Sequence, residues 1–191
     1  MSNQDKTENE PLSQPAPADE IDTSRRKLAG SALGVAAVFT LGSRPVWANQ
    51  CTISGMMSGN LSKPKGPACA GCTPGYWRQP QHLDSWLATG FRPTDTFNSV
   101  FGVTAYVRTD GTPYTLLEVL RELNGNGDPI SANLGFHAVA ALLNAAHPGV
   151  NYGYEPGDII TLFINNIGTP SQAAKLKNSF VMLNQRDCPL N

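Results

Sequence analysis

The chain has 191 residues, of which 15% are charged, and its formal net charge is −1. A chain of that length forms one domain with a modest core. From residue 49 onward nine basic side chains balance nine acidic ones; with no basic stripe, the composition argues against nucleic acid and anionic membrane surfaces as partners.

Residues 1–24 are polar. Asp5, Glu8, Glu10, Asp19, Glu20 and Asp22 stand against a single Lys6, and Pro11, Pro15 and Pro17 interrupt the run. Such a segment cannot bury a core, so disorder is expected. Ser24-Arg25-Arg26-Lys27 then leads into a weakly apolar run from Leu28 to Leu41, followed by Arg44 and Val46-Trp47-Ala48. A basic start, a short apolar run and a small-residue cleavage site make the plan of a signal peptide. The paired Arg25 and Arg26 and the long polar approach resemble a twin-arginine (Tat) signal rather than a general secretory one. The expected cleavage lies between Ala48 and Asn49. The Tat translocase and signal peptidase are the implied export partners, and the periplasm, cell surface or medium is the destination. A retained membrane anchor is disfavoured, because glycines interrupt the short run.

The segment 49–71 is rich in Gly and Pro and reads as a loop-like lead-in to a domain spanning 72–191. All four cysteines, Cys51, Cys69, Cys72 and Cys188, lie after the expected cleavage site. In an exported chain an even count predicts two disulfides, and four cysteines allow three pairings. Pro74-Gly75 marks a turn, and Pro80 opens a short helix through Trp86. A second short helix is expected from Asp95 to Phe101, ended by Gly102. Residues 103–115, with Asp110-Gly111 at the tip, predict a small hairpin. Thr115 and Glu118 form a capping box for a helix to Leu123. Glu118 and Glu122 lie one turn apart on it and read as a solvated face.

Ser131 is the expected N-cap of the central helix, which runs to Ala146 and stops at His147-Pro148-Gly149. Leu134, Ala138, Ala141, Leu142 and Ala145 form one stripe; Phe136, Val139, Leu143 and Ala146 form another. A helix apolar nearly all round belongs inside a bundle, and this one falls short of the roughly 20 residues that cross a bilayer. Pro156 starts a further helix through Ile167. Thr169-Pro170 opens the last, to Gln185, with Ala173, Leu176, Phe180 and Leu183 inward. The fold class is therefore mainly α: a small bundle around a buried central helix, with at most a short hairpin, stapled by disulfides.

Cys72, Thr73, Gly75, Tyr76, Trp77 and Arg78, followed by His82 and Trp86, resemble the marker of an uncharacterised family of secreted, mostly bacterial domains. That marker reads Cys-Thr-x-Gly-Tyr/Phe-Trp-Lys, then His and Trp. The resemblance continues through Phe97–Gly102, Thr115–Glu118, Ala138–Asn144, Asn151–Tyr154 and Cys188–Leu190, covering most of residues 69–190. Arg78 replaces the usual lysine, and His137 falls where the family pattern is looser. The resemblance implies that Cys72 and Cys188 frame one domain and pair, which leaves Cys51 for Cys69.

Several constellations could carry chemistry. Cys69 and Cys72 have CxxC spacing, but the surroundings are turn-like and lack the βαβ context of a redox site. Cys69, Cys72 and His82 could hold zinc with a fourth ligand, provided both sulfurs are thiolates. Tyr76, Trp77, His82 and Trp86 could converge on a ligand pocket, with His82 and Trp86 on one helical face. The preferred reading makes both tryptophans core anchors and has His82 bonding a backbone carbonyl. Asn124, Asn126 and Asp128 have the one-three-five spacing of a calcium loop. Pro129 stands where that loop needs glycine, however, and Gly135 where it needs a bidentate glutamate. His137 reads as a satisfied core histidine, and His147 as a cation on the helix C-terminal dipole. No nucleophile elbow, HExxH, P-loop or dinucleotide fingerprint occurs. The expectation is an exported, non-enzymatic structural or interaction module with no assigned catalytic residue and no cofactor. The alternatives are a periplasmic small-ligand or metal-binding protein using Tyr76–Trp86, with zinc or calcium as the metal, and an uncharacterised hydrolase.

Overall fold

A computed structural model describes residues 51, 52, 68–125 and 127–191. The signal-peptide features Arg25, Arg26, Ala48 and Asn49 lie outside the described residues, as do Asn126 and most of the lead-in. Among the described residues the order is α1 (Pro74–Trp77), a 3₁₀ segment (Pro80–Thr89), α2 (Phe97–Phe101), α3 (Leu116–Glu122), α4 (Leu134–Ala146), α5 (Pro156–Asn166) and α6 (Pro170–Asn184). None of these helices is long and apolar enough to cross a membrane.

Helix α4 is the axis of the bundle. Its Leu134, Ala138, Val139, Ala140, Ala141, Leu142 and Leu143 are fully buried. Helices α5 and α6 pack along it most extensively, and α3, α1 and the 3₁₀ segment complete the cover. The three alanines on successive faces let these neighbours approach closely, while Leu134, Leu142 and Leu143 supply most of the apolar area. Residues 72 and 188 are joined across the bundle, and residues 51 and 69 form the second bridge.

The start of α4 differs from expectation. Ser131 is not the cap. The helix begins at Leu134, after Asn133 in the left-handed region at φ 63°. One orphan N–H of the helix start, that of Gly135, is met by the Asp128 carboxylate, which also accepts from the N–H of Ile130 and Ser131 in the turn before it. A carboxylate at a helix N-terminus is favoured by both hydrogen bonding and the helix dipole. Tyr106 donates its hydroxyl to the same carboxylate at 3.1 Å. Asp128, placed in a calcium-loop spacing by the sequence, is thus a cap and a latch.

The expected hairpin is reduced to one isolated antiparallel bridge, Val107 with Pro113, flanked by backbone bonds from the Arg108 N–H to Thr112 and from the Tyr114 N–H to Tyr106; a second bridge, Thr96 with Thr115, ties its foot to the start of α2. Pro113 has no N–H to extend a ladder. The loop is also held by Arg108, which pairs with Glu118 at 3.2 Å and Glu122 at 3.0 Å and lies 4.3 Å over the Tyr114 ring. Glu118 and Glu122 are therefore not simply a solvated face. Glu118 also closes the capping box on Thr115. Helix α2 starts at Phe97 rather than Asp95, because Asp95 turns its carboxylate to the Arg92 N–H.

Candidate functional site

The marker segment enters the core at Cys72. Thr73 caps α1 by accepting the Tyr76 N–H, and Pro74 occupies the first helical position, where its missing N–H costs nothing. This short helix turns Tyr76 and Trp77 inward together. Trp77 is fully buried and meets Trp86 edge to face at 6.4 Å between ring centres. The Trp86 indole N–H donates to the Trp77 carbonyl at 3.1 Å. Both tryptophans are core anchors with their polar edges satisfied.

His82 and Trp86 do not share a face. Their segment is 3₁₀, with about three residues per turn, so positions four apart point about 120° from each other. The His82 ring stacks on Tyr76 at 4.0 Å and 21° instead of reaching a backbone carbonyl. Tyr76 donates its hydroxyl to the Leu190 carbonyl at 3.2 Å and lies 2.8 Å from the Ser85 hydroxyl, whose proton it can accept. The four candidates are therefore split: Trp77 and Trp86 go into the core, and Tyr76 with half-buried His82 forms a stacked pair against the C-terminal tail.

Cys69 and Cys72 are bridged, but not to each other. Cys69 joins Cys51 and Cys72 joins Cys188, which leaves no free cysteine. Zinc at Cys69, Cys72 and His82 would require both bridges to open, since zinc takes thiolates. Among the described residues no group of three or more His, Cys, Asp or Glu is gathered as metal ligands are.

The residue that organises this region is one that sequence reasoning passed over. Asn144, on α4, is fully buried. Its Oδ1 accepts from the Cys72 N–H at 2.9 Å and from the Trp77 indole N–H at 3.1 Å. Its Nδ2 donates to the Cys72 carbonyl at 2.8 Å and to Asn184 Oδ1 at 3.0 Å. All four hydrogen-bonding positions of the amide are filled, which also fixes which end is oxygen. Asn184, likewise buried, accepts from the Tyr152 hydroxyl at 2.8 Å and donates to the His137 carbonyl at 2.9 Å. Tyr152 is held well above the usual phenol range by burial, so it stays a donor. Each partner is distant in sequence, which is why only one cue was available beforehand: a polar residue on a helix with no exposed face.

The two remaining histidines depart from expectation. The Nδ1 of His137 is buried without a hydrogen-bond partner. Burial, aided by the nearby Lys177 charge, pushes its pKa down to about 4. His147 is not a helix-end cation: burial lowers its pKa, and its Nδ1 accepts the Gly149 N–H at 3.0 Å. A nitrogen that accepts carries no proton, so this ring is neutral.

No family model matches the chain, and neither the curated proteins nor the solved structures contain a match.

Proposed function

We propose that this chain is an exported, non-enzymatic structural or interaction module, carried out of the cytoplasm by a twin-arginine signal and belonging to the uncharacterised family of secreted domains whose marker it resembles. The observation that carries this reading is how the marker residues are used. Cys72, Thr73, Tyr76, Trp77 and Trp86 form a bridge, a helix cap, a stacked ring and two core anchors. Their polar groups are bonded within the protein. Side chains committed in this way build a scaffold. The two disulfides fit residence in an oxidising compartment. The destination itself rests on Arg25, Arg26 and the Ala48–Asn49 cleavage site.

Fractionation tests the route. Arg25→Lys with Arg26→Lys should leave uncleaved precursor in the cytoplasm, because the translocase reads the arginine pair. Normal export of that double variant sinks the twin-arginine reading. Elemental analysis of the purified exported protein tests the module. A stoichiometric metal accompanied by free Cys69 and Cys72 would overturn it in favour of a metal-binding protein.

A further inference from the structure

Cys72 stands three residues from Cys69, yet its partner is Cys188, a separation of 116 residues. In an unstructured chain loop closure favours near neighbours, and that bias points Cys72 towards Cys69. The fold contains a device that opposes it. The Asn144 amide holds the backbone of Cys72 on both sides, taking its N–H at 2.9 Å and giving to its carbonyl at 2.8 Å. Asn98 grips Tyr106 in the same two-sided way, but across only eight residues; the Asn144 grip spans 72. The adjoining backbone is tied as well: the Ala70 N–H donates to the Asn151 carbonyl and the Gly71 N–H to the Asp187 carbonyl. Gly71 lies so close to the Leu183 carbonyl that a Cβ there would collide with it. The segment between the two cysteines is thus laid against the end of α6 by contacts that involve no sulfur.

We propose that Asn144 is a positioning residue for disulfide choice: by gripping the Cys72 backbone in an already folded core, it presents that thiol to Cys188 and withholds it from Cys69. Closing the bridge takes one proton and one electron from each thiol. The electron pair passes to a disulfide oxidant, glutathione disulfide in the test below, which leaves as two thiols. The inference does not depend on the export route, since it concerns the chain wherever it is oxidised.

The test uses the full chain, reduced and refolded, then exposed to glutathione disulfide, trapped by alkylation and mapped by mass spectrometry. The native sequence should yield Cys72–Cys188 and Cys51–Cys69. Asn144→Leu should raise the Cys69–Cys72 product about tenfold, the scale set by losing two net backbone hydrogen bonds. Asn184→Leu removes a buried polar neighbour but not the grip, and should pair natively even where it lowers Tm as much. Native pairing by Asn144→Leu, or equal mispairing by both variants, overturns the proposal. A hydrogen-exchange measurement on the reduced native sequence needs no variant. The Cys72 amide should be protected before oxidant is added, and an unprotected amide refutes a grip that precedes the bridge.

Discussion

Gly135→Ala should reverse the usual sign of a glycine-to-alanine change in a helix. Ordinarily alanine gains about 0.5–1 kcal/mol there. At position 135 the added Cβ would lie 2.5 Å from Tyr106 Cε1 and 2.9 Å from its hydroxyl. Carbon contacts settle at about 3.5–4.0 Å, so the ring would have to retreat by roughly 1 Å. It has no room. Tyr106 is fully buried, its ring centre lies 3.9 Å from that of Phe97, and its hydroxyl is tied to Asp128. Overpacking costs about 1–3 kcal/mol, and a hydrogen bond to a carboxylate is worth about 1.5–3 kcal/mol if it breaks. After the propensity gain the net loss is about 2–4 kcal/mol. For a folded part of this size that lowers Tm by roughly 7–14 °C. Thermal unfolding followed by near-ultraviolet circular dichroism measures it. In a Tyr106→Leu background the ring is gone, and the penalty of Gly135→Ala should largely vanish, giving a coupling of about 2 kcal/mol. An unchanged or raised Tm in the native background refutes the close contact as the cause.

Cys188→Ser opens a loop of 116 residues and should cost about 4–5 kcal/mol in the loop-entropy account, read by urea unfolding; a loss below 1 kcal/mol would show that the bridge does not constrain the unfolded chain. Leu142→Asp puts an unpaired charge on the fully buried face of α4 and should prevent accumulation of folded protein, which a soluble variant with native unfolding would contradict. His137 sets an acid limit. Its folded pKa of about 4 lies below the unfolded value of 6.5, so the unfolded chain binds the extra proton. The stability it confers is complete above pH 6.5 and is lost as pH falls towards 4, by about 2 kcal/mol after discounting for solvent reaching the ring. His137→Leu should flatten that part of the stability profile; an unaltered slope assigns the acid sensitivity to other groups.

The parts of the fold that were legible in advance are those written in contiguous residues. Thr115 with Glu118, and Thr169 with Pro170, open helices where the capping pattern places them. The apolar run of α4 marks a central helix because nothing on it could face water. The rest depends on contacts between distant segments. Asp128 caps α4 from across a turn, displacing Ser131. Arg108 reaches Glu118 and Glu122 on another element and turns two apparently solvated acids into partners. Pro80 marks the opening of a short helix, and only the backbone shows that the segment is 3₁₀, which separates His82 from Trp86. Asn144 lies in a run of Ala and Leu where a single amide has little effect on pattern. Its importance comes from the Cys72 backbone, 72 residues away.

The two disulfides lie in series along the chain: one ring closes at Cys69 before the other opens at Cys72. A protease that cuts one peptide bond inside either ring therefore releases nothing, because the severed ends stay joined through sulfur. Between Cys51 and Cys188, only a cut from Cys69 to Cys72 would part the molecule. That junction is Ala70-Gly71, buried and pressed against the end of α6. Proteolysis requires an extended, accessible backbone, so the one vulnerable link is also shielded. Such a chain can be nicked within either ring and remain a single covalent body.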